Sequence, residues 1–250
     1  MIRRLIHILV SMVVIALLWQ IAYLAAGQQD YLLPSPLKTL TTAVLKADLL
    51  ARHALTTGAE ILLGLLGGGL VGVASALLLA SFAPLRRWLV PVLVISQAIP
   101  VFAIAPLLVL WLGYGMASKV AMASLIIYFP ITTAFLDGLS RTASGWLDLA
   151  QVMGGSRWTV LRHIRIPAAL PSLGAGLKVA VGVAPIGAVI GEWVGSSTGL
   201  GYLMLHANAR MQVDLMFAAL LVLAGLAITL FWLTDRLLAC LLPWRATTNE

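Results

Sequence analysis

Six stretches of this sequence are apolar for long enough to cross a lipid bilayer, and that restricts the chain more than any other feature. They cover residues 5–26, 57–81, 87–111, 118–139, 171–192 and 216–238. A spanning helix needs about 17 to 25 mostly apolar residues. In lipid every backbone N–H and C=O must be satisfied inside the protein, so such stretches fold as helices rather than as open sheet. The expected fold is therefore all-α, a single polytopic membrane domain over residues 1–250 with six transmembrane helices. Charged residues are 10% of the chain against 61% hydrophobic, whereas soluble domains carry about 25% charged.

The formal net charge of +7 raises the question of nucleic acid. No basic stripe interleaved with aromatics accompanies it, so nucleic-acid binding is set aside. In membrane proteins Lys and Arg mark the cytoplasmic side instead. With the N-terminus inside, Arg3, Arg4, Arg86, Arg87, Arg141, Arg157, Arg162, Arg165, Arg236 and Arg245 fall on that side, and Lys38, Lys46, Arg52, Lys119 and Arg210 on the other. This asymmetry predicts a multi-pass protein with both termini in the cytoplasm. The basic, apolar N-terminal stretch is read as a retained first helix, because its apolar run exceeds that of a signal peptide.

Cys240 is the lone cysteine, and His7, His53, His163 and His206 have no metal-ligand spacing; neither a disulfide within the chain nor a metal site is expected. Between the first two apolar stretches, Ser35 and Pro36 are placed to start a short helix. Leu37, Leu40 and Val44 share one of its faces, so it reads either as an amphipathic helix at the outer surface or as a connector.

Gly64, Gly68 and Gly72 recur every four residues, a spacing that lets another helix approach closely. Pro100, Pro106, Pro130 and Pro185 are expected to interrupt the third, fourth and fifth spans. Such breaks need protein or water beside them, as along a solute path. Candidate path residues on these grounds are Pro100, Glu192, Trp193, Ser196 and Ser197. Trp111 and Tyr114 read as interfacial belt residues. Acids at bilayer depth are costly and face protein or water. Glu192 is thus either a wall of a path or an acid bonded to the glycine-rich loop after it, and Glu60 is expected to have a structural role, either in a hydrogen bond or as a partner for Lys178.

Residues 145–167 are the polar exception to this pattern. Residues 146–153 are expected to form a short helix stopped at Gly154-Gly155, and Ser156 to cap a second one running to the exit at Ile164–Pro167. Trp158, Leu161 and Ile164 lie near one face of it, with Arg157, Arg162 and His163 elsewhere. Residue chemistry alone leaves two readings, a docking knob for a partner and a helix resting on anionic lipid.

The stretch DLAQVMGGSRWTVLRHIRIP, 148–167, resembles the cytoplasmic EAA loop of binding-protein-dependent ABC importer permeases, type I. That motif is Glu-Ala-Ala, three residues, Gly, nine residues and Ile-x-Leu-Pro. Asp148, Ala150, Gly154, Ile164 and Pro167 occupy its positions, with Asp for Glu, Leu149 for Ala and Ile166 for Leu. The resemblance extends to LPSP at 33–36, IPVFAIAPLLVLWLGYGMASKV at 99–120 and GEWVGSSTGLGYLM at 191–204, which look like the nitrate, sulfonate, taurine and thiamine-pyrimidine-precursor branch. It implies a homodimeric permease, two cytoplasmic ATPases that bind ATP and Mg, and a periplasmic solute-binding protein. It also implies a place in the bacterial inner membrane, a path lined by spans three and four that adds Gln97 and Tyr128 to its candidates, and an ATPase-coupling loop to which Asp148, Ala150, Gly154, Ser156, Arg157, Trp158, Arg162, Ile164 and Pro167 belong.

No phosphate-binding GxxxxGK[ST] loop occurs in the chain, so no nucleotide cofactor is expected in it and hydrolysis falls to a partner. The expected solute is a hydroxymethylpyrimidine-type precursor, with a taurine, alkanesulfonate or nitrate importer as the alternative. Two readings from other classes are an ion-driven secondary carrier, which an inverted repeat would mark, and an intramembrane enzyme. The latter needs a buried Ser–His pair that these histidine positions do not offer.

Overall fold

The computed structural model describes residues 2–244, with side chains from Val10 onward. Arg245 and the side chains of Arg3, Arg4 and His7 lie outside the described residues. The described chain is helical throughout: α1 (Ile2–Ala25), α2 (Pro36–Leu45), α3 (Ala47–Ser81), α4 (Ala83–Ser96), α5 (Val101–Leu112), α6 (Met116–Ser140), α7 (Ser144–Val152), α8 (Arg157–Val160), a π turn (Leu161–Arg165), α9 (Ile166–Gly195), α10 (Leu200–Ala209) and α11 (Val213–Leu241). It divides into two compact units, residues 1–57 with 197–225 and residues 58–196 with 226–250.

Among the described residues, four helices are individually long and apolar enough to cross a membrane: α3, α6, the continuous stretch Arg157–Gly195, and α11. The expected third span is not one straight helix. It is the pair α4 and α5, bent by 100° at residues 97–100. Pro100 sits at the bend in an extended conformation; it lacks an N–H to continue the helix and biases the residue before it away from helical geometry. Taken with α1, this arrangement is compatible with six spans. The expected interruptions at Pro130 and Pro185 do not occur, because α6 and α9 run through both positions.

In the unit of residues 58–196 and 226–250, small residues set the helix spacing. A methyl group on Gly68 would lie 2.6 Å from the carbonyl oxygen of Ser124, so α3 and α6 touch backbone to backbone along the expected glycine stripe. On the other side of α6, a methyl group on Gly176 of α9 would lie 2.7 Å from the carbonyl oxygen of Pro130. That contact brings α9 close against α6 beside Pro130. Ile61, Ala123, Ile127, Ile131, Ala180, Ala184 and Ala188 fill the space between these helices.

In the other unit, Leu50, Leu200, Leu203, Ala207, Leu215, Ala218 and Ala219 form the core. Ser35 caps α2 by accepting a hydrogen bond from Lys38 N at 3.2 Å, with Pro36 as the first helical residue. Leu37, Leu40 and Val44 are exposed along α2, while Thr39 behind them is buried. Its exposed apolar stripe makes α2 an amphipathic helix rather than a plain connector. The start of α10 is capped from α3: Gly199 N donates to His53 Nδ1 at 2.9 Å and Leu200 N to Thr57 Oγ1 at 2.8 Å.

Candidate functional site

The polar loop forms a helix–turn–helix, as its residues dictate. α7 ends at Val152, and Gly154 takes a left-handed backbone, φ +71°. Gly155 N closes the turn by donating to Ala150 O at 2.8 Å. A methyl group on Gly155 would stand 2.9 Å from that same oxygen, so each glycine is required for its own reason. Ser156 Oγ then accepts from Thr159 N at 3.2 Å and caps α8.

Pro167 does not end this segment, contrary to the expected exit. The chain from Arg157 continues into α9 as one helix through a π turn at Leu161–Arg165. A proline within a helix leaves a carbonyl one turn earlier without its N–H partner, and a local π turn absorbs the mismatch. The second helix of the knob is consequently a continuous extension of α9.

Leu161 is buried and Ile164 half-buried, while Trp158 is exposed rather than packed beside them. Trp146, Leu149, Val152 and Met153 are exposed as well, leaving a large apolar surface interrupted by Asp148, Arg157 and Arg162. Ala150 is buried in the turn. Arg165, read from sequence only as a cytoplasmic charge, has a structural task. Its Nε and Nη2 both donate to the carbonyl oxygen of Leu139, at 3.1 and 2.9 Å, near the end of α6. The knob is thus tied to α6 as well as to α9.

Those two helices also wall a groove of about 680 Å³. Ile126, Phe129, Pro130, Thr133, Ala134 and Asp137 line it from α6, Ala175, Gly176, Val179 and Val183 from α9, and Gln97 from the α4–α5 bend. Asp137 is held by Arg141, whose Nε lies 2.8 Å from Oδ2; the carboxylate raises the pKa of that guanidinium. Gln97 was expected on a path and lies here, with Pro100 shaping the adjacent bend. Phe129, Thr133 and Asp137 were missed, although their spacing of four along a helix with a proline was a usable signal.

Other candidates lie elsewhere. Tyr128 and Trp193 are not among the residues lining the groove, and Ser197 belongs to the other compact unit. Glu192 and Ser196 join a buried polar cluster. Lys119 Nζ lies 2.8 Å from Glu60 Oε1 and donates to Ser196 Oγ at 2.9 Å, and the Glu192 carboxyl faces the same Glu60 side chain. Two expectations are corrected here. Lys119 is not an outer-loop charge but a buried cation on α6, 4% exposed. Glu60 pairs with it rather than with Lys178, whose partner is Asp235. No group of three or more His, Cys, Asp or Glu able to hold a metal occurs among the described residues.

A family described as "binding-protein-dependent transport system inner membrane component" matches residues 68–244. A probable ABC transporter permease protein of Haemophilus influenzae is 54% identical over 94% of this chain and 96% of its own length. The formylaminopyrimidine transport permease protein ThiX of Halalkalibacterium halodurans is 38% identical over 91% of each. Among solved structures, the MetNI methionine ABC transporter in an inward-facing form has the same fold. Its TM-score is 0.68 at 19% identity, covering 78% of this chain and 97% of that one.

Proposed function

The chain belongs to the family of binding-protein-dependent transport system inner membrane components, and we propose that it passes an aminopyrimidine precursor of thiamine through its α6–α9 groove. It is an ABC importer permease and not an enzyme. The family implies a separate ATPase and a solute-binding protein as partners.

One observation carries the mechanism: the exposed knob is attached to the same two helices that wall the groove. Arg165 ties it to the end of α6, and the π turn joins it to α9 without a break. An ATPase that grips Trp158, Val152 and Met153 and moves them therefore displaces α6 and α9 together. The helix runs unbroken from knob to groove, and packed helices shift as units. The two helices need not slide past each other, which the close contact at Gly176 would resist.

The solute assignment rests on the groove's chemistry beside the ThiX relative. Phe129 offers a ring face, Gln97 an amide, and Asp137 a carboxylate able to accept from an exocyclic amine. A sulfonate has no donor to offer the Asp137 carboxylate, whose charge Arg141 already meets. Glu192, which from sequence was the acid suited to an amine, does not line the groove, so this role passes to Asp137.

In the membrane, the bent pair α4–α5 counts as one crossing, which gives six crossings with both termini cytoplasmic. Removing Lys119 from the outer set leaves four outer cations against ten inner ones, a sharper asymmetry than the sequence indicated. Two copies of the chain face each other with two ATPases below.

Uptake of radiolabelled aminomethylpyrimidine and of taurine tests this, using liposomes that hold the chain, its ATPase and its binding protein. ATP-dependent pyrimidine uptake is expected. Uptake of taurine alone would move the assignment to the sulfonate branch, and uptake driven by an ion gradient without ATP would overturn it.

A further inference from the structure

One group of buried charges takes no part in the route from knob to groove. Glu60 of α3, Lys119 of α6 and Glu192 of α9 are all buried and meet in one place. Two carboxyls stand there against one ammonium. Lys119 Nζ is 2.8 Å from Glu60 Oε1 and donates to Ser196 Oγ at 2.9 Å. The charged groups that act on Glu60 are Lys119 and Glu192. The neighbouring parts of α5 and α11 bring apolar side chains, Ala105 and Leu108 from one and Leu226 and Leu230 from the other.

The bonding of Glu60 is incomplete. The Lys119 ammonium lies within ion-pair distance of Oε1, yet both Glu60 oxygens are buried and neither accepts a hydrogen bond. An ionised carboxyl can only accept. Two ionised carboxyls facing each other out of water therefore leave lone pairs unmet and a negative charge unbalanced. A proton on either one removes both faults. The acid then donates to the other carboxyl, and the remaining carboxylate balances the ammonium.

We propose that Glu60 and Glu192 share one proton, which makes these three side chains a neutral, proton-loaded latch across α3, α6 and α9. Lys119 lies in the first turn of α6 and Glu192 in the last turn of α9. The knob is attached at the opposite ends of the same two helices, and the groove residues of α6, from Ile126 to Asp137, lie between. On the membrane orientation proposed above, on which this step rests, the latched ends face outward and the external solution supplies the proton. When that proton leaves at alkaline pH, two carboxylates face one ammonium and the latch loosens. The folded chain binds one more proton here than the unfolded chain, so its stability falls as pH rises through that point.

The test reads the proton directly, with the chain and its ATPase in nanodiscs. Infrared spectra at neutral pH should show the carbonyl stretch of a protonated carboxylic acid, identified by its shift in deuterated water, and the band should vanish at alkaline pH. Glu60→Gln and Glu192→Gln should each abolish it, because either leaves one carboxylate beside one ammonium and no proton to share. Both variants keep the shape and the neutral charge. They should melt as the wild type does at neutral pH and escape its loss of several degrees in melting temperature at alkaline pH. A wild type without the band, or a band that survives either substitution, overturns the proposal. Should one variant fail to insert, the wild-type band and the other variant decide. In liposomes with the binding protein, alkaline external pH should lower the solute moved per ATP in the wild type but not in Glu60→Gln; dependence on internal pH instead overturns the outward placement. The spectrum requires no transport, so a band that behaves as expected while ATP-dependent uptake is absent overturns the importer reading and leaves the proton site standing.

Discussion

Lys119 Nζ stands 2.8 Å from Glu60 Oε1, with both side chains buried, and this pair joins α3 to α6. Removing one member of such a pair leaves an uncompensated charge, at a cost of about 3–5 kcal/mol. Lys119→Met should therefore melt well below the wild type in detergent, because Glu60 and Glu192 then face each other without the ammonium. Lys119→Met with Glu60→Gln should recover much of the loss. A single variant as stable as wild type by thermal aggregation would show that the pair contributes nothing.

The turn of the knob offers a sharper test of coupling than its charged residues. Gly154→Val places a β-branched residue at φ +71°, a conformation that costs such residues about 1–3 kcal/mol. The expected result is a permease that inserts normally but retains little ATPase on co-purification. Full binding-protein-stimulated hydrolysis in this variant would remove the loop from the coupling route.

Arg165 makes a separable prediction, since it is only partly exposed and serves to position the knob rather than to contact a partner. Arg165→Met loses two charge-assisted hydrogen bonds to Leu139 O, together worth roughly 1.5–3 kcal/mol. ATPase binding should persist while solute moved per ATP hydrolysed falls. Arg162→Ala, an exposed change, should weaken ATPase binding instead if that side chain meets the partner. A defect limited to liposomes of anionic lipid would place Arg162 among headgroups.

At the groove, Asp137→Asn is expected to raise the KM for an aminopyrimidine by roughly tenfold, the scale of one hydrogen bond to a charged group. An analogue with a hydroxyl in place of the amine should be carried equally by both forms. Equal transport of the amine by wild type and variant, measured by initial uptake rates, would remove Asp137 from the solute path.

Long apolar runs, the turn glycines and the spacing from Asp148 to Pro167 are local properties, and they determined by themselves the all-α membrane fold and the helix–turn–helix knob. Their effect depends on periodicity, backbone freedom and the lack of water in lipid, none of which requires knowing which helices are neighbours. The partner of Glu60 was a different matter. Lys178 lay within an apolar stretch while Lys119 read as an outer charge, and α3 had to settle on α6 before Lys119 met Glu60. The prolines show the same limit. Pro100 breaks its helix while Pro130 does not, and α9 packs at Gly176 against the Pro130 carbonyl. Arg165 read as one more basic residue until the end of α6 was brought beside it. Whether a buried charge or a proline becomes a pair, a bend or a continuous helix depends on what covers it, and only the tertiary structure decides that.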